Sequence, residues 1–124
     1  MEKMKFDLNE RLIEFSVYTL SVIDSIINTR AGNHLASQLV RSCTAPSLQY
    51  GEALDAESKN DFIHKLKILL KELRETNNGL RIVKRVPLTT NIEMVDQALK
   101  ECNELIAIFV KSIKTIRSNS IENS

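Results

Sequence analysis

Eight cations, Lys59, Lys65, Lys67, Lys71, Arg74, Arg81, Lys84 and Arg85, face only three acids, Asp61, Glu72 and Glu75, between positions 59 and 85. The local charge is +5 in a chain whose formal total is +1. At helical spacing, Lys67, Lys71, Arg74, Asn78, Arg81 and Arg85 fall on one line, opposite an apolar face of Phe62, Leu66, Leu69, Leu73, Leu80 and Val83. Cations spaced this way neutralise successive phosphates, in a binding that is largely sequence-blind and weakens with salt. Lys67, Lys71, Arg74, Arg81 and Arg85 are therefore the candidate nucleic-acid contacts. The competing reading is a solvated face, with Lys71 paired to Glu75 and Lys67 to Glu72.

Other chemistries have less behind them. Asp61 and His64 are three apart, like one carboxylate–x–x–His element of a di-iron bundle, but such a site needs two elements and two further carboxylates. His34 is the only other histidine, and His64 falls on the polar side of its helix. Cys43 and Cys102 occupy apolar-repeat positions, where a thiol behaves as a small hydrophobe. His34 is more than two turns from Cys43. No glycine-rich phosphate cradle is present. The expectation is a non-enzymatic protein with no catalytic residues, no metal ligands and no cofactor. A polar cluster surrounds Pro46 (Arg41, Ser42, Thr44, Ser47, Gln49, Tyr50, Glu52), and its bland role is to satisfy backbone groups freed at a bend.

Four helices must position these residues. The first is expected over about 7–28, with Leu8, Leu12, Phe15, Val22 and Ile26 on one face and Ile13, Val17, Leu20 and Ile27 widening it. Its apolar residues cover more than half the circumference. A small monomeric bundle needs a narrower stripe, so a second face of this helix is expected to pack on another subunit. The stretch Thr29–Gly32 is read as its end, and Asn33 as the N-cap of a second helix over 33–55. Pro46 is expected to kink or split that helix, with Gly51 a second weak point. Ser58 and Asp61 form a capping box opening a third helix over 59–84, whose last turn Gly79 should weaken. Thr90 and Glu93 form another, opening a fourth over 91–117 with Ile92, Val95, Leu99, Cys102, Ile106, Phe109, Ile113 and Ile116 in unbroken three-four alternation. Residues 118–124 read as a frayed polar tail. Short connections join the helices into an all-α, up-down-up-down four-helix bundle forming a single domain over 1–124.

The bulk numbers agree. A chain of 124 residues, 43% hydrophobic and 27% charged, with three Gly, two Pro and six aromatics, favours one helical globule over a disordered chain or a β-sandwich. No apolar run reaches the roughly 18 residues of a membrane span, and the N-terminus has no apolar signal core. Cytoplasmic localisation, reduced thiols and no membrane partner are expected.

The run Gln38–Ala53 (QLVRSCTAPSLQYGEA) resembles the second helix of the four-helix-bundle proteins encoded in 23S rRNA intervening sequences. Asp61–Lys67 (DFIHKLK) and Lys71–Thr76 (KELRET) resemble that family's third helix, in a form close to that of Bacteroidetes-like bacteria. Gln49, Ala53 and Gly79 depart from the family pattern. The resemblance implies a ring-shaped homopentamer. It is also similar in fold to the accessory protein of diversity-generating retroelements, which binds a reverse transcriptase and nucleic acid through basic surfaces. The expected function is a homo-oligomeric bundle that binds RNA or other nucleic acid through a basic helix face. The alternative is a scaffold or accessory subunit for a partner protein. A ring would repeat the basic stripe and give weak contacts avidity.

Overall fold

The computed structural model describes residues 2–122, with side chains from 8 to 119. Four helices fill this span: α1 (Glu2–Asp24), α2 (Arg30–Leu54), α3 (Lys59–Arg85) and α4 (Ile92–Glu122). Each packs on its two neighbours in the order α1–α2–α3–α4–α1, and no diagonal pair touches. The result is an up-down-up-down four-helix bundle, closed by short connections at 25–29, 55–58 and 86–91. Among the described residues, no helix is long and apolar enough to cross a membrane.

The apolar spacing is what buries each helix. Leu12, Phe15 and Val22 of α1, Leu39 and Cys43 of α2, and Leu66, Leu69, Leu73, Leu80 and Val83 of α3 are almost fully shielded. On α4 the shielded stripe is Val95, Ala98, Cys102, Leu105 and Phe109, so Ala98 and Leu105 join the core while Leu99 and Ile106 sit at its edge. Tyr50 meets Phe109 edge-to-face, ring centroids 5.8 Å apart.

Several helix ends differ from the expectations. The first helix stops at Asp24, not near 28, because the Ile27 amide leaves the helix to bond the Leu88 carbonyl at 2.9 Å. That bond stitches the α1–α2 turn to the α3–α4 turn, where Leu88 and Thr89 are both buried. The N-cap of α2 is Thr29, not Asn33. Thr29 is extended (φ −134°, ψ 172°), and its hydroxyl accepts the Gly32 amide at 3.0 Å. Thr29–Gly32, read from sequence as a break, is therefore the cap and first turn of α2. Asn33 instead donates to the Asn28 side chain. A Cβ on Gly32 would run into the Ile27 carbonyl, which is why the turn can be this tight.

The second helix runs unbroken through Pro46, so it is not split. Pro46 has no amide to offer the preceding turn. The Ser16 hydroxyl of α1 lies 2.7 Å from the Cys43 carbonyl just upstream. The Ser58–Asp61 cap of α3 forms as expected, the Ser58 hydroxyl accepting the Asp61 amide at 3.0 Å. At α4 the amide of Asn91 is accepted by Thr89, and Thr90 is exposed without a capping bond among the described residues. Insertion of Leu88 holds Thr89 inward, where it also meets Ser25 at 2.9 Å. The helix continues to Glu122, past the expected start of a polar tail at 118; residues 123–124 lie outside the described residues.

Gly79 does not weaken α3, which continues to Arg85. It is a close helix–helix contact: a Cβ there would lie 2.7 Å from Leu39 Cδ2 and 3.3 Å from its Cγ. Leu39 is buried and has no room to retreat. Gly79→Val is expected to cost about 1–3 kcal/mol by overpacking. Gly51 faces open space, so Gly51→Ala is expected to stabilise by about 0.5–1 kcal/mol through helix propensity. Urea unfolding midpoints moving in opposite directions for the two variants check both assignments.

Candidate nucleic-acid interface

Burial of the α3 leucines dictates where its cations go. With Leu66, Leu69, Leu73, Leu80 and Val83 inward, Lys67, Lys71, Arg74, Asn78, Arg81 and Arg85 are all exposed. At 1.5 Å per residue they mark a line about 27 Å long. This is the line expected from the spacing, and all five candidate contacts lie on it.

The charges beside that line are arranged differently from the expectation. Glu72 and Glu75 do not pair with Lys67 and Lys71. Both are drawn to Arg41 of α2, whose guanidinium lies 3.1 Å from Glu72 and also bonds Glu75. The hydrogen bond to Glu75, then the charge of Glu72, raises the Arg41 pKa. The reason is position: both acids lie on the α2 side of α3, next to the Thr76 hydroxyl that bonds Ser42 at 2.9 Å. The cationic line turns the other way, toward α4. Lys65 pairs with Glu52 and Lys84 with Asp96. Among the described residues, Lys67, Lys71, Arg74, Arg81 and Arg85 form no ion pair.

On the α4 side the line borders a polar cleft of about 290 Å³, lined by Arg74, Asn77, Asn78, Arg81, Asn103 and Ile106. Asn77 donates to the Asn103 side chain at 2.8 Å across the two helices. A second hollow continues along Asn78, Arg81, Ile82 and Arg85. Asn77 and Asn103 were not among the candidates drawn from the sequence. The signal available was the Asn77–Asn78 pair, two poor helix formers in mid-helix.

A different surface lies across α1 and α2. Ser16 contacts the α2 backbone at Cys43, and just outside that contact Ile13, Val17, Val40 and Leu48 are exposed, Val17 and Leu48 by 55% and 67%. Helical spacing makes them one strip along the α1–α2 seam.

The remaining candidates stay separate. His64 and His34 are exposed, and Asp61 serves the start of α3. Among the described residues no three His, Cys, Asp or Glu side chains converge. Most of the polar cluster around Pro46 is engaged internally: Arg41 in its ion pairs, Ser42 with Thr76, and Thr44 and Ser47 with carbonyls of their own helix at 2.8 and 3.1 Å. Cys43 and Cys102 are free and buried. Burial pushes their thiols up from 9.0 to about 11 and about 12, so neither is an activated nucleophile.

Comparisons with known proteins place the chain. A family model described as 23S rRNA-intervening sequence protein matches residues 5–111. A crystal structure from Bacteroides thetaiotaomicron, of a protein with unknown function from the S23 ribosomal protein family, is similar at 28% identity and a TM-score of 0.78. The match covers 86% of this chain and 98% of that one. No curated protein matches.

The thiols provide a test of the core. In the unfolded chain they ionise near 9.0, and in the folded protein near 11 and 12. The folded state thus favours the protonated form. Its contribution is complete below pH 9 and is lost as pH rises through the folded values. Urea titrations on either side of pH 9 should show stability falling on the alkaline side. A thiol-specific reagent should modify both cysteines only in denaturant.

Proposed function

We propose that this chain, which belongs to the 23S rRNA-intervening sequence protein family, is a non-enzymatic, self-associating bundle that binds RNA through the basic face of α3. The observation that carries the reading is the row Lys67, Lys71, Arg74, Arg81 and Arg85. All five are exposed, and none is paired with an acid among the described residues. Arg41 strengthens that row by neutralising Glu72 and Glu75 beside it. Contacts of this kind are to phosphate and position a strand without reading its sequence.

Self-association rests on the strip of Ile13, Val17, Val40 and Leu48, which leaves apolar surface in water on α1 and α2. A ring of five copies is the assembly implied by the resemblance of Gln38–Ala53. It multiplies a weak phosphate surface by avidity.

Fluorescence anisotropy with single-stranded RNA across a salt series tests the binding. Affinity should fall as salt rises, with a log–log slope of about −0.7 per phosphate neutralised. The triple reversal Lys71→Glu, Arg74→Glu, Arg81→Glu should remove it, and Arg41→Ala should weaken it several-fold by releasing two acids. No binding at low salt, or binding indifferent to the triple reversal, would leave the alternative of a protein-partner scaffold, for example for a reverse transcriptase. For the assembly, light scattering at micromolar concentration should give an oligomer that Val17→Asp dissociates. A monomeric parent protein refutes that part.

A further inference from the structure

We infer that the cleft between α3 and α4 is a single-nucleotide site for an unpaired adenine of single-stranded RNA. Arg74 and Arg81 hold its phosphates, and the Asn77–Asn103 amide pair reads its base edge. The inference rests on the RNA-binding reading above and adds to it a specificity that the cationic line alone does not carry.

The amide pair is the central observation. The bond between Asn77 and Asn103, at 2.8 Å, joins side chains from two different helices at the floor of the cleft. An amide has one acceptor oxygen and a donor NH₂. Bonding one amide to the other leaves an unused acceptor on one partner and unused donor capacity on the other, whichever way each amide is turned. The pair therefore presents a donor and an acceptor side by side, on a rigid two-helix base. Such an arrangement matches the adjacent N6 donor and N7 acceptor of adenine, the pairing that asparagine makes when it reads a base.

The surroundings fit a nucleotide. Ile106 supplies an apolar wall next to the amides, and Arg74 and Arg81 stand at the rim. Both arginines are exposed and without ion pairs among the described residues, leaving them free for phosphate. Their guanidinium planes are also surfaces on which a base stacks where no aromatic ring is present. The hollow extends past Arg81 to Arg85, giving the adjoining phosphate a path along the cationic line. A base in a duplex is stacked and has its edges in the grooves, so a cleft of about 290 Å³ takes a splayed, unpaired base. An acid-rich peptide would satisfy the arginines but would leave the amide pair unused.

The test uses short labelled adenylate, uridylate and cytidylate RNA oligomers with the whole protein at low and moderate salt. Adenylate should bind about tenfold more tightly than the other two, the size of one well-made base contact. Asn103 is exposed, so Asn103→Ala should leave the thermal unfolding curve in place and move the adenylate curve onto that of uridylate, with residual salt-dependent binding. Asn77→Ala should do the same. Arg74→Ala or Arg81→Ala should weaken all three oligomers alike and flatten the salt slope by about 0.7. Equal binding of all three oligomers, or an adenylate preference that survives Asn103→Ala, overturns the nucleotide site while the basic-face reading stands. Absence of binding to any oligomer at low salt overturns both.

Discussion

Burial of one leucine stripe organises this molecule. Leu66, Leu69, Leu73 and Leu80 of α3 are completely or almost completely shielded, and α3 packs against both α2 and α4. A stripe this apolar fixes the rotation of its helix, since turning α3 by one residue would expose leucine at about 25 cal/mol per Å². Everything polar on α3 is placed as a consequence. Glu72 and Glu75 must face α2, and the cations must face outward and toward α4. The Gly79–Leu39 contact adds a second constraint, because it sets how closely α2 and α3 approach at that level.

With the rotation fixed, the two sides of α3 acquire opposite electrostatic characters. On the α2 side, one guanidinium gathers two carboxylates, and a Thr76–Ser42 hydroxyl pair is buried beneath. Exposed ion pairs such as these add little stability. Their effect is on the field: acids that would offset the cationic line are held away from it by a third party. On the α4 side the only ion pair within the last turns is Lys84–Asp96, among the described residues, and the neighbouring polar groups are amides. A potential built this way is concentrated on one edge of the helix although the whole chain carries only +1.

Periodicity exposed the parts of this arrangement that depend on one helix. The apolar and cationic faces of α3, its Ser58 cap, and the stripe of α4 all follow from spacing alone, because burial of an amphipathic helix needs no knowledge of its partner. What depended on a second helix was not legible. The pairing of Arg41 with Glu72 and Glu75 spans 31 and 34 positions, and a single-helix wheel offered the local Lys67 and Lys71 instead. The Asn77–Asn103 contact is of the same kind. Gly32 and Gly79 read as breaks because glycine disfavours helix in isolation, whereas each is a helical position where another segment passes too close for a Cβ. Thr29 and Asn33 are both competent caps. The choice between them is made by the Ile27–Leu88 bond, which ends α1 early and lets α2 begin early.

The cyclic packing order separates the two surfaces of interest. In a square bundle whose neighbours run α1, α2, α3, α4, the α1–α2 side lies opposite the α3–α4 side. The apolar strip of Ile13, Val17, Val40 and Leu48 is on the first, and the cleft with its flanking cations is on the second. A copy docked on the apolar strip would therefore not cover the cleft. It would also not cost the cations their solvent access, so association and phosphate binding need not compete for the same surface. In an assembly made through α1 and α2, each added copy would bring another free α3–α4 edge. Effective concentration then rises with copy number, provided that the RNA segment is long enough to span neighbouring edges. A surface of five phosphate contacts per subunit, too weak alone at physiological salt, gains its affinity from that repetition and not from any further contact within one chain.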